Sequence, residues 1–349
     1  MKIMAFGDVH LGTYRFPIRE HIMYAMSEIV DIATSEFPDI ILFAGDAFRH
    51  RVPSAGDVAD FGKFLHSLSR TTDTIVMIPG NHDIAGGGST TIDVYRHYGK
   101  VYVIDKPMVY VHGNWNVEIA CVPWLPQKSV TQQGGSGNNR DAISALLQLL
   151  RPTTAGSTKI MLAHATSLGA EFAEGVDTLL GQDVAWPPDW FVGYDLAVLG
   201  HIHKPQQIPG APNAYYTGSI CPVSFSEAGQ SKFVLMWEDG KVTQVPLYHP
   251  AFVQLRAEDL PVSLPIQNTF LQIKKAHGDP DPEDIPECAW YEIVSEPPKN
   301  DKRVRLDSES AAAMSPRDAI AQWLTLADKS DVAEKVFELI DTLTGAEDD

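Results

Sequence analysis

The chain has 349 residues, a hydrophobic content of 44% and a formal net charge of −18. This length allows one large domain or two of unequal size. The net charge argues against a general nucleic-acid binder, which needs Lys and Arg to neutralise phosphates, although a local basic patch or bound cations override the total charge. No apolar run reaches the roughly eighteen residues of a membrane span. The three cysteines lack metal-binding spacing, so we expect reduced thiols in a cytoplasmic protein without membrane contact.

Strand-like and helix-like segments alternate along residues 1–250 and predict an α/β sandwich. The strand candidates are residues 2–7, 39–44, 74–78, 101–104, 117–122, 159–163, 196–199 and 233–237, and the helix candidates are residues 18–35, 55–69, 91–98 and 139–150. Asp239-Gly240 is a strong two-residue turn signal and predicts a hairpin of residues 232–238 and 241–247. Neighbouring strand pairs of this kind indicate mixed sheets. Surface loops are predicted at residues 86–88 and 131–139.

The composition changes after residue 250. Residues 251–308 are rich in proline and acidic residues, and strand-like pieces at 268–274 and 289–294 predict a small second α/β unit. A helix is then predicted from Ser315, with serine as the N-cap and proline at the first helical position, and a second helix follows. The expected domains are residues 1–250, 251–308 and 309–349.

Five polar clusters each follow a predicted strand. They are Asp8-Val9-His10, Gly45-Asp46, Gly80-Asn81-His82-Asp83, His164 and Gly200-His201-Ile202-His203. In an open α/β sheet, this edge is where ligands bind. Taken singly, each cluster has a structural explanation, as turn residues or as a hydrogen-bonded core histidine. Together they offer imidazole, carboxylate and amide oxygen, which suit divalent manganese, iron or zinc. The set therefore predicts a two-metal site.

The order of these clusters resembles the calcineurin-like metallophosphoesterase superfamily and, within it, the SbcD-type DNA nucleases. The resemblance to the SbcD-type nucleases is carried by Asp8-Val9-His10-Leu11-Gly12, Arg19-Glu20, Gly45-Asp46-Ala47-Phe48, Pro53-Ser54, Tyr216-Thr217-Gly218-Ser219, Ser224-Phe225-Ser226-Glu227 and Ser231-Lys232. The resemblance implies a four-layer α/β/β/α sandwich with mixed sheets. It also implies a small α/β capping domain that contacts DNA and a C-terminal pair of helices.

The resemblance implies a role for each polar side chain. One metal ion would be held by Asp8, His10, Asp46 and His203, and the other by Asp46, Asn81, His164 and His201. His82 would protonate the leaving oxygen, and Asp83 would orient His82. Arg49 stands where many related nucleases have a second histidine that binds no metal, with His50 beside it. Arg49 would neutralise phosphate charge or hold the DNA backbone.

The implied activity is hydrolysis of DNA phosphodiesters by a hydroxide that bridges two metal ions, with Mn²⁺ as the expected metal. It would act as an exonuclease on duplex ends and as an endonuclease on single-stranded or hairpin DNA, in DNA repair, recombination or replication. The implied partner is an SbcC-like ATPase of the SMC type, and a homodimer of the nuclease subunit is expected. The chain has no ATP-binding loop motif of its own.

Two other functions stay open. One is a metallophosphoesterase for a small phosphodiester or nucleotide, and the other is a non-catalytic scaffold that bridges DNA ends. The C-terminal helices carry apolar stripes at residues 320–327 and 332–343. The stripes predict docking on the ATPase, with packing as ordinary core as the alternative.

Overall fold

The computed structural model describes residues 1–85, 89–125, 139–172, 184–262, 268–296, 316–326, 332 and 335–337. The chain divides into two compact units, Met1–Ile273 with Asp284–Glu292, and Lys274–Glu283 with Ile293–Asp349. The predicted loop at 86–88 lies outside the described residues, as does that at 131–139 except for Asn139, which begins a helix. The expected domain boundaries at residues 250 and 308 stay predictions.

Among the described residues, the buried strands follow apolar runs of the sequence. In chain order they are β1 Lys2–Phe6, β2 Ile40–Phe43, β3 Thr74–Met77, β4 Val101–Val103, β5 Met108–His112, β6 Val117–Val122, β7 Thr158–His164, β8 Leu196–Gly200, β9 Gln206–Gln207, β10 Ala214–Tyr216, β11 Lys232–Glu238, β12 Lys241–Leu247, β13 Ala251–Arg256, β14 Thr269–Lys275 and β15 Trp290–Ser295. They form two six-stranded sheets, β12-β11-β1-β2-β3-β4 and β5-β6-β7-β8-β10-β9, and the three-stranded sheet β13-β14-β15.

The sheets are mixed, as predicted. Strand β1 pairs in parallel with β2 and antiparallel with β11. The predicted hairpin joins β11 to β12, with Glu238 opposite Lys241. Its two turn residues, Asp239 and Gly240, have φ values of 49° and 84°, as a two-residue hairpin turn with positive φ at both positions requires.

The described helices are α1 Arg19–Glu36, α2 Ala55–Leu68, α3 Asn139–Leu149 and α4 Pro316–Leu326. Residues 91–98 were expected to form a helix, and the structure has instead a short 3₁₀ turn at Thr91–Tyr95. The carbonyl oxygen of Asp83 accepts a hydrogen bond from the Thr91 N–H at 2.8 Å and from its hydroxyl at 3.1 Å. The start of this segment is therefore tied to the preceding loop.

The two large sheets stack face to face with helices outside them. In β1, Ile3 and Ala5 lie in a core that both sheets share, whereas Met4 and Phe6 lie in the core formed with α1 and α2. A third core covers the outer face of the second sheet, where α3 contributes Ile143 and Leu147. Burial on both faces explains the unbroken apolar runs at residues 3–6 of β1 and 160–163 of β7. The predicted α/β/β/α arrangement is confirmed.

Two smaller expectations concern other parts of the chain. All three cysteines are free, and Cys121 and Cys221 are buried. Among the described residues, none of the helices combines the length and apolar character needed to cross a membrane. In α4, Leu324 is buried and Trp323 is exposed, whereas most of the second predicted C-terminal helix lies outside the described residues.

Candidate metal centre

The backbone of the strand-end clusters has an unusual conformation. Left-handed φ values occur at Asp8 (49°), His10 (49°), Asp46 (56°) and His201 (98°). Residues with a Cβ rarely adopt this conformation, and such positions cost roughly 1–3 kcal/mol each. All four follow β1, β2 or β8. The strain is concentrated where the sequence predicted the site, and it bends the chain so that polar side chains from different strands meet.

Glycines allow the strand ends to approach closely. A Cβ atom on Gly80 would lie 2.1 Å from Oδ1 of Asp46, and one on Gly200 would lie 2.2 Å from the carbonyl oxygen of Ala44. Neither distance is compatible with a side chain. The glycines of these motifs therefore make room for the carboxylate and for the backbone that lines the cluster.

The first group of side chains joins β1 to the loop after β8. The ligand atoms of Asp8, His10 and His203 all lie within 4.8 Å of one another. Nε2 of His203 lies 2.8 Å from Nε2 of His10. The carboxylate of Asp8 also accepts the backbone N–H of His201 at 3.0 Å, which connects the two strand ends.

The second group surrounds His164 at the end of β7. Nε2 of His164 lies 3.0 Å from Oδ1 of Asn81, and Nδ1 of His201 lies 3.1 Å from the same oxygen. Oδ2 of Asp46 lies 3.6 Å from Nε2 of His164 and 3.5 Å from Nε2 of His10. Asp46 therefore lies between the two groups, where a bridging ligand would be placed.

The donor set fits a cation. Nδ1 of His164 lies 2.7 Å from the carbonyl oxygen of Ala44, which accepts hydrogen bonds and cannot donate them. Nδ1 therefore carries the proton of the neutral ring, and Nε2 presents a lone pair. With the amide oxygen of Asn81 in this orientation, two electron pairs face each other at 3.0 Å. A positive ion between them turns this repulsive contact into two favourable ones.

The electrostatics of the cluster lead to the same conclusion. Burial, with neighbouring imidazoles, lowers the pKa of His10 and of His164 well below the ordinary value. Burial, followed by the carboxylates of Asp83 and Asp8, raises the pKa of Asp46 well above the ordinary value. The neutral imidazoles keep their lone pairs, and the carboxylates repel one another. A divalent cation would supply the missing positive charge.

His82 lies beside both groups. Its backbone N–H donates to Oδ1 of Asp46 at 2.9 Å, and its Nδ1 lies 2.7 Å from the carbonyl oxygen of Arg49. Its ring centroid is 4.9 Å from that of His10. His10, Asp46 and His82 also have ligand atoms within 4.8 Å of one another, so the geometry suits either an acid or a metal ligand at this position.

Asp83 makes different contacts from those predicted. Its carboxylate accepts backbone N–H groups from Asp46 at 2.8 Å, Ala47 at 3.0 Å and Gly80 at 3.0 Å. The ring of His82 is oriented by the carbonyl group of Arg49, so the expectation that Asp83 orients it is wrong. Asp83 instead ties the loop after β2 to the loop after β3.

Arg49 is half-buried beside the cluster. Its guanidinium carbon lies 3.9 Å from the centroid of the Tyr14 ring, and the Tyr14 hydroxyl donates to the carbonyl oxygen of His10 at 2.8 Å. This stacking fixes the guanidinium near the predicted site. His50, its neighbour, is exposed.

Two contacts to the cluster were not predicted from the sequence. Oε1 of Glu227 lies 3.1 Å from Nδ1 of His203, and the ring of Trp124 lies 4.9 Å from that of His201. Glu227 belongs to a stretch that carried the family resemblance. Its spacing alone did not identify His203 as its partner.

Comparison with known proteins identifies the family of the chain. Residues 1–205 match the family model described as calcineurin-like phosphoesterase. The chain is 27% identical over 268 residues to the SbcD component of nuclease SbcCD of Escherichia coli K12, covering 70% of this chain and 67% of that protein. It is 28% identical to the Rhodobacter capsulatus protein of the same name, covering 66% of this chain and 64% of that protein. A Saccharolobus solfataricus protein named DNA double-strand break repair protein Mre11 is 26% identical, with 58% and 49% covered.

Proposed function

The chain belongs to the calcineurin-like phosphoesterase family, and from that premise we propose that it is a Mn²⁺-dependent DNA nuclease. The observation that carries the proposal is the convergence of imidazole, carboxylate and amide groups from both large sheets, with the lone pairs of Asn81 and His164 facing each other at 3.0 Å. The similarity to proteins named as components of a nuclease, and to one named for DNA double-strand break repair, supports DNA as the substrate.

We assign the two ions to side-chain sets that share Asp46. The first set is Asp8, His10, Asp46 and His203, and the second is Asp46, Asn81, His164 and His201. When bound, two such ions supply a hydroxide nucleophile near neutral pH and neutralise the phosphoryl oxygens. The donors are nitrogen and oxygen with no thiolate. This mixture favours Mn²⁺ over Mg²⁺, which binds imidazole poorly and keeps its water ligands.

His82 would supply the proton to the leaving sugar oxygen. Since the carbonyl oxygen of Arg49 occupies Nδ1 of His82 at 2.7 Å, Nε2 is the ring atom left to carry the transferred proton. Burial lowers the pKa of His82 below its ordinary value, so the doubly protonated ring that can donate from Nε2 would be a minor form near neutral pH and would become more populated as the pH falls. The guanidinium of Arg49, fixed over Tyr14, would contact a phosphate of the DNA backbone.

The partner is a further part of the proposal. The Escherichia coli relative is named as one component of a nuclease, and the present chain has no ATP-binding loop motif. We therefore propose association with an SbcC-like ATPase through residues 309–349. Removing residues 310–349 should abolish co-purification with the ATPase and leave nuclease activity of the isolated chain largely intact. Retained association would return this segment to a structural role.

A substrate panel tests the activity and distinguishes it from the open alternatives. Metal-free protein loaded with Mn²⁺ would be given linear duplex DNA, hairpin DNA, a cyclic nucleotide and a synthetic phosphodiester. We expect cleavage of both DNA substrates at rates well above those of the small compounds. Turnover of the small compounds alone would favour a small-molecule phosphoesterase. Mn²⁺ binding and DNA binding without any turnover would favour the scaffold.

A further inference from the structure

A buried network of charged and polar side chains lies behind His203. It consists of Ser219, Glu227 and Lys232, which are 0%, 1% and 1% exposed. Lysine and glutamate are almost never buried to this degree unless they are paired, and their desolvation is costly even then. None of the three is in the proposed metal-binding sets. The network therefore needs an explanation of its own.

The contacts of Glu227 fix the proton on His203. One oxygen, Oε1, lies 3.1 Å from Nδ1 of His203 and accepts the N–H of Val223 at 3.1 Å. The other, Oε2, accepts from the Ser219 hydroxyl at 2.6 Å and from Nζ of Lys232 at 2.6 Å. An ionised carboxylate can only accept, so Nδ1 is the protonated nitrogen of His203. When the ring is neutral, its Nε2 therefore carries the lone pair, and this atom faces Nε2 of His10 at 2.8 Å.

The same network also holds the backbone of His203. Its carbonyl oxygen accepts from Nζ of Lys232 at 2.9 Å and from the N–H of Ser219 at 3.2 Å. His203 is thus fixed at its ring by Glu227 and at its backbone by Lys232 and Ser219. Both the orientation of the ring and the position of the chain are set by one buried group of residues.

The geometry points to Glu227 as the positioning residue of His203. It also points to Lys232 as the residue that orients the Glu227 side chain, by binding one carboxylate oxygen while the other faces His203. This inference rests on the proposed function, in which His203 is a metal ligand. A carboxylate bonded to the distal nitrogen of a ligating histidine fixes its tautomer and increases its basicity. His164, in the second set, has the backbone carbonyl of Ala44 at the corresponding place. The two ions are therefore supported differently.

Glu227→Gln tests this difference. Lys232 and Ser219 donate toward one side of the side chain, and the Val223 N–H and the Ser224 hydroxyl, the latter at 3.4 Å, donate toward the other. The positive charge of Lys232 decides between the two sides, so the amide oxygen turns to Lys232 and the amide NH₂ turns to His203. Nδ1 of His203 must then accept, the proton moves to Nε2, and the lone pair that a metal needs is lost. We expect one of the two Mn²⁺ sites to weaken by roughly 10–100-fold. The other site keeps its affinity.

A second variant reverses the orientation of the side-chain amide that Glu227→Gln introduces. In Glu227→Gln with Lys232→Met, the ammonium that attracts the amide oxygen is absent, and the Val223 N–H attracts that oxygen back to the His203 side. Nδ1 of His203 regains an acceptor. We expect this double variant to bind Mn²⁺ at the weakened site more tightly than Glu227→Gln alone. A purely structural role for the pair predicts no such recovery.

A matched control is available in the second sheet. Glu118 is 7% exposed and accepts from the Thr154 N–H at 3.0 Å and the Ser157 hydroxyl at 2.6 Å. It lies near the start of β6, at the opposite end of the strands from the cluster. Glu118→Gln should leave both Mn²⁺ affinities unchanged.

The measurements are calorimetric titration of the full chain with Mn²⁺ and the imidazole ¹⁵N–¹H spectrum of the metal-free protein, which reports the tautomer of His203. The inference would be overturned if the wild type bound two Mn²⁺ ions and Glu227→Gln changed neither the tautomer of His203 nor the affinity for Mn²⁺. That result would leave the proposed function intact. Wild type that binds no Mn²⁺ would overturn the proposed function itself.

If Glu227→Gln does not fold, two variants that lack both the Glu227 and the Lys232 charge test the inference instead. In the Lys232→Met background, Glu227→Gln keeps an acceptor for Nδ1 of His203 and Glu227→Leu does not. At the Mn²⁺ site that contains His203, we expect the glutamine form to bind the ion at least roughly tenfold more tightly than the leucine form. Equal affinities of the two forms would contradict the positioning role.

Discussion

The Nε2 atom of His164 lies 3.0 Å from the Oδ1 atom of Asn81, with lone pair facing lone pair. Asn81→Leu removes this repulsion from the metal-free protein and also removes a proposed metal ligand. We expect its free energy of unfolding in EDTA to equal or exceed that of the wild type. The added stability from Mn²⁺, about 2.7 kcal/mol for a site at 100 times its Kd, should shrink. Urea unfolding with and without Mn²⁺ measures both quantities, and an equal loss in both conditions would argue for a structural role.

Variants of His82 and Asp46 distinguish a loss of catalysis from a loss of metal binding. Asp46→Ala removes the carboxylate that lies between the two groups, and both ions should bind weakly or not at all. His82→Ala should keep both ions and DNA binding yet lose roughly 10²–10⁴-fold in cleavage rate, the usual contribution of a positioned acid. Metal analysis and cleavage rates on the same preparations test this. Loss of a metal ion from His82→Ala would make His82 a ligand, as its place near His10 and Asp46 also permits.

Asp83→Asn tests the role of the carboxylate under the two loops. Asparagine has the same shape but one acceptor oxygen, and its amide group would face backbone N–H groups that now bond to Asp83 at 2.8–3.0 Å. We expect a loss of about 1–3 kcal/mol in the free energy of unfolding. The measurement is urea unfolding in EDTA. Unchanged stability with a large loss of rate would instead support direct action on His82.

Arg49→Ala tests the proposed phosphate contact. We expect weaker DNA binding at unchanged Mn²⁺ stoichiometry, and a salt dependence of log K that is lower by about one unit of slope. Binding would be measured at several salt concentrations in a His82→Ala background, where the DNA should stay intact. Arg70→Ala, at an exposed position after α2, is the control. The prediction fails if the two arginine variants bind DNA equally well.

Much of the fold was predictable from the sequence because the central strands are buried on both faces. Residues 39–44 were predicted as a strand and β2 spans Ile40–Phe43, while residues 159–163 were predicted and β7 spans Thr158–His164. β2 is apolar throughout, and β7 contains the apolar run 160–163. The strand-end motifs also predicted the family, and the match over residues 1–205 confirms it.

The finer contacts depend on tertiary structure that a local pattern does not contain. Asp83 and His82 are adjacent in sequence, yet the carboxylate bonds to amides of another loop and the ring bonds to Arg49, 33 positions away. His82 and Asp83 lie in a turn after β3, so adjacency in sequence does not determine where either side chain points. Glu227 contacts His203 across 24 positions, and only the folded chain brings these two together.

Metal dependence is the most direct test of the proposed function. Protein freed of metal with a chelator would be given linear duplex and hairpin DNA with Mn²⁺ or with Mg²⁺ from which manganese has been removed, and bound metal would be counted. The imidazole-rich site predicts two Mn²⁺ ions per chain and DNA cleavage in Mn²⁺ far above that in Mg²⁺. Full activity in manganese-free Mg²⁺, or no cleavage of either DNA with two Mn²⁺ ions bound, would contradict it.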